Sequence, residues 1–128
     1  MKDKIIYWID LSDYDLETAE AMLSTGRFLY VGFMCHQAIE KIFKAHYCLS
    51  SDEPPPYSHN LSYIAGKSGI DKIINDDFRD LVSILEPLHI EARYPTYKEM
   101  LLKSLTKSRC EEILKKTKEL QSWVKERL

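Results

Sequence analysis

The sequence predicts an all-α fold, an antiparallel up-and-down bundle of about four to five helices. Three observations predict it. Apolar residues recur at three- and four-residue intervals along most of the chain. No stretch sustains the alternation of a half-buried strand. The strong break is Ser50-Ser51-Asp52-Glu53-Pro54-Pro55-Pro56, where consecutive prolines remove backbone donors and forbid helix. A length of 128 residues fits one domain over 1–128.

The first helix is expected over about 3–25, with Ile5, Trp8, Ile9, Leu16, Ala19 and Leu23 as its apolar stripe. Gly26 is placed to end it, because glycine tolerates the left-handed backbone of a helix C-terminus. The second helix, about 27–49, is apolar nearly all round, so it must be covered on most sides. In so short a chain, that cover is expected to need a second subunit. Its polar exceptions, Gln37, Glu40, Lys41 and Lys44, fall at i, i+3, i+4 and i+7 and form one narrow stripe.

A short helix is expected near 60–67 and a fourth over about 75–91. Phe78, Leu81, Val82, Leu85, Leu88 and Ile90 would face inward there, and Pro87 would kink it. Tyr94-Pro95 ends that helix, and no structure is assigned to 96–105. The last helix starts near Thr106 or Ser108, with Ser108 and Glu111 as a capping box. Trp8, Tyr14, Phe28, Phe33, Phe43 and Trp123 are expected in the core.

Composition excludes several classes. Hydrophobic content of 45% and charged content of 30% suit a packed core without disulfides. Net charge is −2, which argues against bulk electrostatic binding of duplex DNA. No apolar run is long enough to cross a bilayer, and the N-terminal segment lacks signal-peptide features, so a cytoplasmic protein is expected. Cys35, Cys48 and Cys110 lie in helical apolar patterns without a CxxC pair, so they are expected to be reduced packing residues and no metal site is expected. There is no P-loop, GxGxxG, HExxH or nucleophile elbow, and no cofactor is expected.

Several segments occur together in a recognisable order. Trp8 is followed by Asp15-Leu16, then by the run Cys35-His36-Gln37-Ala38-Ile39-Glu40-Lys41-Ile42-Phe43-Lys44-Ala45. Downstream come Pro55-Pro56, His59-Asn60-Leu61 and Ala92-Arg93-Tyr94-Pro95. This ordered set resembles the HEPN family, small helical bundles often encoded beside minimal nucleotidyltransferases. The resemblance implies a homodimer with polar residues around a shared cleft. Many family members are metal-independent ribonucleases carrying an arginine followed, after four to six residues, by a histidine. Here Arg93 is followed by Tyr94, Pro95, Thr96, Tyr97, Lys98, Glu99 and Met100, so that histidine is missing and no catalytic residue is assigned.

The implied function is a nucleotide- or RNA-binding module acting with a minimal nucleotidyltransferase in a toxin–antitoxin-like or stress-related system. The alternatives are a divergent metal-independent ribonuclease and a non-catalytic scaffold or antitoxin bundle. The candidate ligand-binding residues are Gln37, Glu40, Lys41, Lys44, His59, Arg93 and Tyr94. From spacing alone, the stripe reads as an exposed strip with a Glu40–Lys44 ion pair. The resemblance instead makes it a polar seam lining a cleft, where a lysine holds phosphate. Arg93 would either cap a helix C-terminus or grip phosphate. His59 would either bond nearby backbone or act as donor or base. His36 and His46 read as packing or interface residues, and His89 as surface or structural. Tyr47, Tyr57, Tyr63, Tyr94 and Tyr97 are the candidates for stacking on a base.

Overall fold

In the computed structural model, which describes residues 2–91 and 94–128, the described residues form six α-helices and no strand. They are α1 (Asp3–Ser24), α2 (Phe28–Tyr47), α3 (Leu61–Ser68), α4 (Asp76–Glu91), α5 (Pro95–Ser104) and α6 (Lys107–Lys125). A 3-10 turn, Ile70–Lys72, follows α3. The expected all-α bundle is therefore present, with one helix more than the upper expectation. The addition is α5. Tyr94, the residue before Pro95, is extended, and Pro95 opens a new helix at its first position, where the missing N–H costs nothing.

The helix ends follow from local chemistry. At the end of α1, Gly26 has φ 74°, Arg27 N–H donates to Met22 O at 2.8 Å, and Gly26 N–H donates to Leu23 O at 3.2 Å. That is a Schellman termination, and it turns the chain straight back into α2. Asn60 caps α3 by accepting from Tyr63 N–H at 2.9 Å, and Asn75 caps α4 by accepting from Phe78 N–H at 2.8 Å. The expected Ser108–Glu111 box is not the cap of α6. Thr106 takes that place, accepting from Arg109 N–H at 3.1 Å.

Helix α2 is the centre of the molecule and contacts α1, α3, α4, α5 and α6. Leu29, Val31, Cys35, Ala38, Ile39, Ile42, Phe43 and Ala45 are all buried by this chain alone. The expectation that α2 needs a second subunit for cover is thus corrected, because five neighbouring helices of the same chain supply it. Gly32 permits close approach, since a Cβ there would stand 2.9 Å from Leu88 Cδ1 on α4.

Phe43 lies in the core, and Trp8, Phe28 and Trp123 pack against it. Tyr14, expected inside, is instead 67% exposed on α1. Cys35, Cys48 and Cys110 are buried, and burial pushes the Cys35 thiol up to about 12 and the Cys110 thiol up to about 11. No helix of the described residues is long and apolar enough to cross a membrane.

Candidate functional site

Positions 36, 37, 40, 41 and 44 share one side of α2, because they repeat at helical spacing. Helix α1, helix α4 and the connection into α3 bring polar partners to that side. The result is a buried polar seam in two linked parts.

The first part is built around Glu40, which is only 2% exposed. Its carboxylate accepts from Lys44 Nζ at 3.1 Å and meets His59 Nδ1 at 2.8 Å. Burial works against the charged carboxylate. The His59 hydrogen bond and the Lys44 ammonium outweigh burial and hold Glu40 below the ordinary carboxylate range. An ionised carboxylate can only accept, so the proton of that bond sits on His59 Nδ1. The Lys44 ammonium also lies 5.4 Å from the centroid of the Trp8 ring, within cation–π range. The His59 side chain is 56% exposed, so a surface imidazole is fastened to a carboxylate in the interior.

The second part runs from α1 across α2 to α4. Lys41 Nζ donates to Asp15 Oδ2 at 3.0 Å and to Gln37 Oε1 at 3.0 Å. Gln37 Nε2 meets His89 Nδ1 at 3.0 Å. Burial raises the Asp15 carboxyl above its ordinary range, with the Lys41 hydrogen bond and charge opposing it.

His89 joins the two parts. Its ring centroid lies 4.3 Å from that of His59 and 4.7 Å from that of His36, and Phe33 stacks on it at 5.4 Å. His36 is fully buried, and neither ring nitrogen has a hydrogen-bond partner among the described residues. Burial, helped by the neighbouring His89, pushes His36 down to about 4, so it is neutral at pH 7. The carboxylate of Glu86 lies 3.8 Å from His36 Nε2. Glu86 itself accepts from the backbone N–H groups of Leu61 at 3.0 Å and Ser62 at 3.2 Å. The N-terminal donors of α3 are thus partly satisfied from within the chain.

Of the residues singled out in the sequence, Gln37, Glu40, Lys41, Lys44 and His59 come together. Their arrangement differs from an open cationic pocket, because Lys41 and Lys44 are each paired with a carboxylate and largely covered. Nor is the Glu40–Lys44 pair a solvated strip, since both residues are buried. Tyr94 is exposed at the N-cap of α5. Arg93 and the side chain of Tyr97 lie outside the described residues. Among the other candidate stacking residues, Tyr57 is fully exposed, Tyr63 is half-exposed beneath the Lys67 ammonium, and Tyr47 packs against the core.

Sequence reasoning misses Asp15, His36, Glu86 and His89 as members of the seam. Asp15 is within the matched pattern but has no visible partner there. His89, expected at the surface or in a structural role, is 2% exposed and central. A separate cleft of about 220 Å³ between α4 and α6 touches none of the seam. Asp77, Asp80 and Glu119 outnumber Lys116 in its lining, which does not suit an anion. Among the described residues, no three His, Cys, Asp or Glu side chains cluster as metal ligands.

Fold and site together define a class: a helical bundle whose central helix carries an internally paired polar seam ending in one exposed imidazole. The chain belongs to the HEPN domain family, whose model matches residues 5–127. Among solved structures it is similar to TT1696 from Thermus thermophilus, with 19% identity and a TM-score of 0.84. That likeness covers 99% of this chain and 100% of the other, and at such identity it shows the fold. Comparison with curated proteins finds no match. Family membership supports a nucleotide- or RNA-related module at the family level.

Proposed function

We propose that the chain is a HEPN-type module that binds a nucleotide or RNA at the edge where His59 emerges from the seam. The observation that carries this reading is the exposed imidazole held through Nδ1 by the buried Glu40 carboxylate. A buried ion pair adds little net stability over well-packed apolar residues, so stability alone gives no reason for the Glu40–Lys44 pair. Orientation of an exposed group does, because a partner on one ring nitrogen fixes what the other presents.

On this reading the ligand meets His59, with Arg93 and Tyr94 as further contacts. Tyr57, two residues before His59 and fully exposed, offers a stacking face. Gln37, Glu40, Lys41 and Lys44 act behind that edge, because their charges and hydrogen bonds are already used within the chain. The finer proposal is a cytoplasmic homodimer working with a minimal nucleotidyltransferase in a toxin–antitoxin-like or stress-related system.

Calorimetric titration with ATP and with a short single-stranded RNA tests the binding site. The expected result is binding that weakens between about 50 and 200 mM salt and falls roughly tenfold in His59→Ala, the usual effect of removing one charge-assisted hydrogen bond. Unchanged binding in that variant removes the site. A divergent metal-independent ribonuclease is a second reading, favoured by the carboxylate-held imidazole, which has the arrangement of a general base. Cleavage of RNA in EDTA that is lost in His59→Ala would establish it, and intact RNA would dismiss it.

A further inference from the structure

The first turn of α3 is closed by a carboxylate from another helix. Asn60 satisfies the Tyr63 N–H with its own side chain, as an N-cap does. The two N–H groups before it, those of Leu61 and Ser62, donate instead to Glu86 of α4, one to each carboxylate oxygen, at 3.0 and 3.2 Å. An anion bridging backbone donors at the positive end of a helix is the arrangement in which a phosphate binds. The Glu86 side chain is 30% exposed and Ser62 is exposed, so this end of α3 meets solvent. Beside it stands a buried side chain that makes no hydrogen bond. His36 Nε2 lies 3.8 Å from the Glu86 oxygen that holds Leu61, roughly an ångström longer than a hydrogen bond. His36 is fully buried and neither ring nitrogen is bonded; the His59 backbone carbonyl favours its charged form without completing a bond. An imidazole so placed is costly to leave unpaired.

We infer that the first turn of α3 is a phosphate-binding site, filled at rest by Glu86 as an internal anion, and that an arriving phosphate takes the Leu61 and Ser62 N–H groups while Glu86 passes to His36. The exchange leaves no donor unpaired. At rest, Glu86 satisfies two backbone N–H groups and His36 has no bond. In the occupied state, phosphate oxygens accept from the same two N–H groups, and His36 donates to the released carboxylate. No proton has to move, since a neutral imidazole with hydrogen on Nε2 already offers that donor. The plug also sets what enters. An anion must bond the two N–H groups more strongly than a carboxylate does, which favours a doubly charged terminal phosphate over a singly charged ester. Ser62 further lines a cleft of about 320 Å³ between α3 and α4, together with Asp71, Arg79 and Ser83. Arg79 is tied to the Asp71 carbonyl, so that wall carries a cation and an anion side by side. It suits the uncharged sugar of a nucleotide better than a second phosphate.

The remainder of the ligand rests on the binding role proposed above, but inorganic phosphate probes this turn alone, so the two fail separately. RNA binding that is lost in His59→Ala, with no phosphate response at α3, would sink the phosphate site and leave the binding role standing. Amide and long-range imidazole NMR of the full 15N-labelled chain reads both ends of the exchange. Inorganic phosphate is added at constant ionic strength and about pH 8, where it is largely dianionic. The expected result is a saturating shift of the Leu61 and Ser62 amides, with the His36 nitrogens moving at the same midpoint. In Glu86→Gln, phosphate should bind roughly tenfold tighter, because a neutral amide competes for the two N–H groups less than a carboxylate does. Shifts confined to other amides, none at phosphate well into the millimolar range, or a His36 that stays still while Leu61 and Ser62 move would each overturn the site. So would an affinity in Glu86→Gln no better than wild type, the outcome for a carboxylate that only caps α3. Should that variant not fold, the wild-type titration alone decides.

Discussion

Helix α2 has two buried sides of opposite chemistry. One side, with Val31, Cys35, Ile39, Ile42 and Phe43, needs only shape and exclusion of water. The other, with His36, Glu40 and Lys44, is equally buried, yet every charge must find a partner there. The apolar side tolerates volume-conserving exchange. The polar side depends on donor and acceptor direction, so small chemical changes matter more than changes of size. One side holds the fold together, and the other positions an exposed group on it.

The largest effects come from breaking either side outright. Phe43→Ala leaves a cavity in the core and is expected to cost about 3–5 kcal/mol in urea denaturation. Glu40→Ala strands the buried Lys44 ammonium and is expected to cost about as much, roughly 3–5 kcal/mol. The two sides should diverge when Glu40 and Lys44 are both replaced by methionine. That double variant is expected to recover most of the stability lost by Glu40→Ala, because no charge is left unpaired. It should not recover ligand binding, since His59 loses its holder.

Acid acts on the polar side through His36 and, away from the seam, on His46, whose imidazole is also held below its ordinary value by burial. The unfolded chain protonates His36 at its ordinary value of 6.5, while the folded chain refuses the proton until about pH 4. Stability is therefore complete above pH 6.5 and falls as pH drops through that window. The loss approaches about 3 kcal/mol near its lower end. Denaturation curves at several pH values check this, and His36→Leu should flatten that part of the profile. Below it, protonation of Glu40, whose folded carboxyl is held low, removes further stability in the same direction.

Smaller effects sharpen the boundary between the sides. Gly32→Ala pushes a Cβ against the flexible end of Leu88 and is expected to cost about 1–3 kcal/mol without altering ligand affinity. Asn60→Ala removes the cap of α3, one residue beyond His59, and is expected to cost about 1 kcal/mol. Because it loosens the connection that presents His59, it should also weaken nucleotide binding. Thr106→Ala, a cap of the same kind on α6, should cost as much and leave binding untouched.

The sequence carries the helices well, because their signals are local. Apolar spacing, Gly26 and the proline run are each read within a few residues, and the structure places α1, α2, α3, α4 and α6 close to their expected bounds. Helix α5 escapes because a proline reads first as a stop, and its role as the first residue of a helix shows only in the residues that follow. The polar stripe on α2 is also local. Its partners are not, since Asp15 lies 26 residues from Lys41 and His89 lies 52 from Gln37. Spacing shows that Glu40 and Lys44 can pair, but not that other helices cover them. For the same reason, spacing leaves the lysines open to phosphate when the fold has already supplied their anions.

The central claim is that the polar side of α2 exists to orient His59 toward a ligand. Amide and imidazole NMR of the full chain during titration with a short single-stranded RNA tests it most directly. The account predicts shifts concentrated at Tyr57, His59 and the first turn of α3, with smaller ones at Gln37, Glu40 and His89, all lost in His59→Ala. Saturating shifts confined to another surface, or none at RNA concentrations well into the millimolar range, would contradict it.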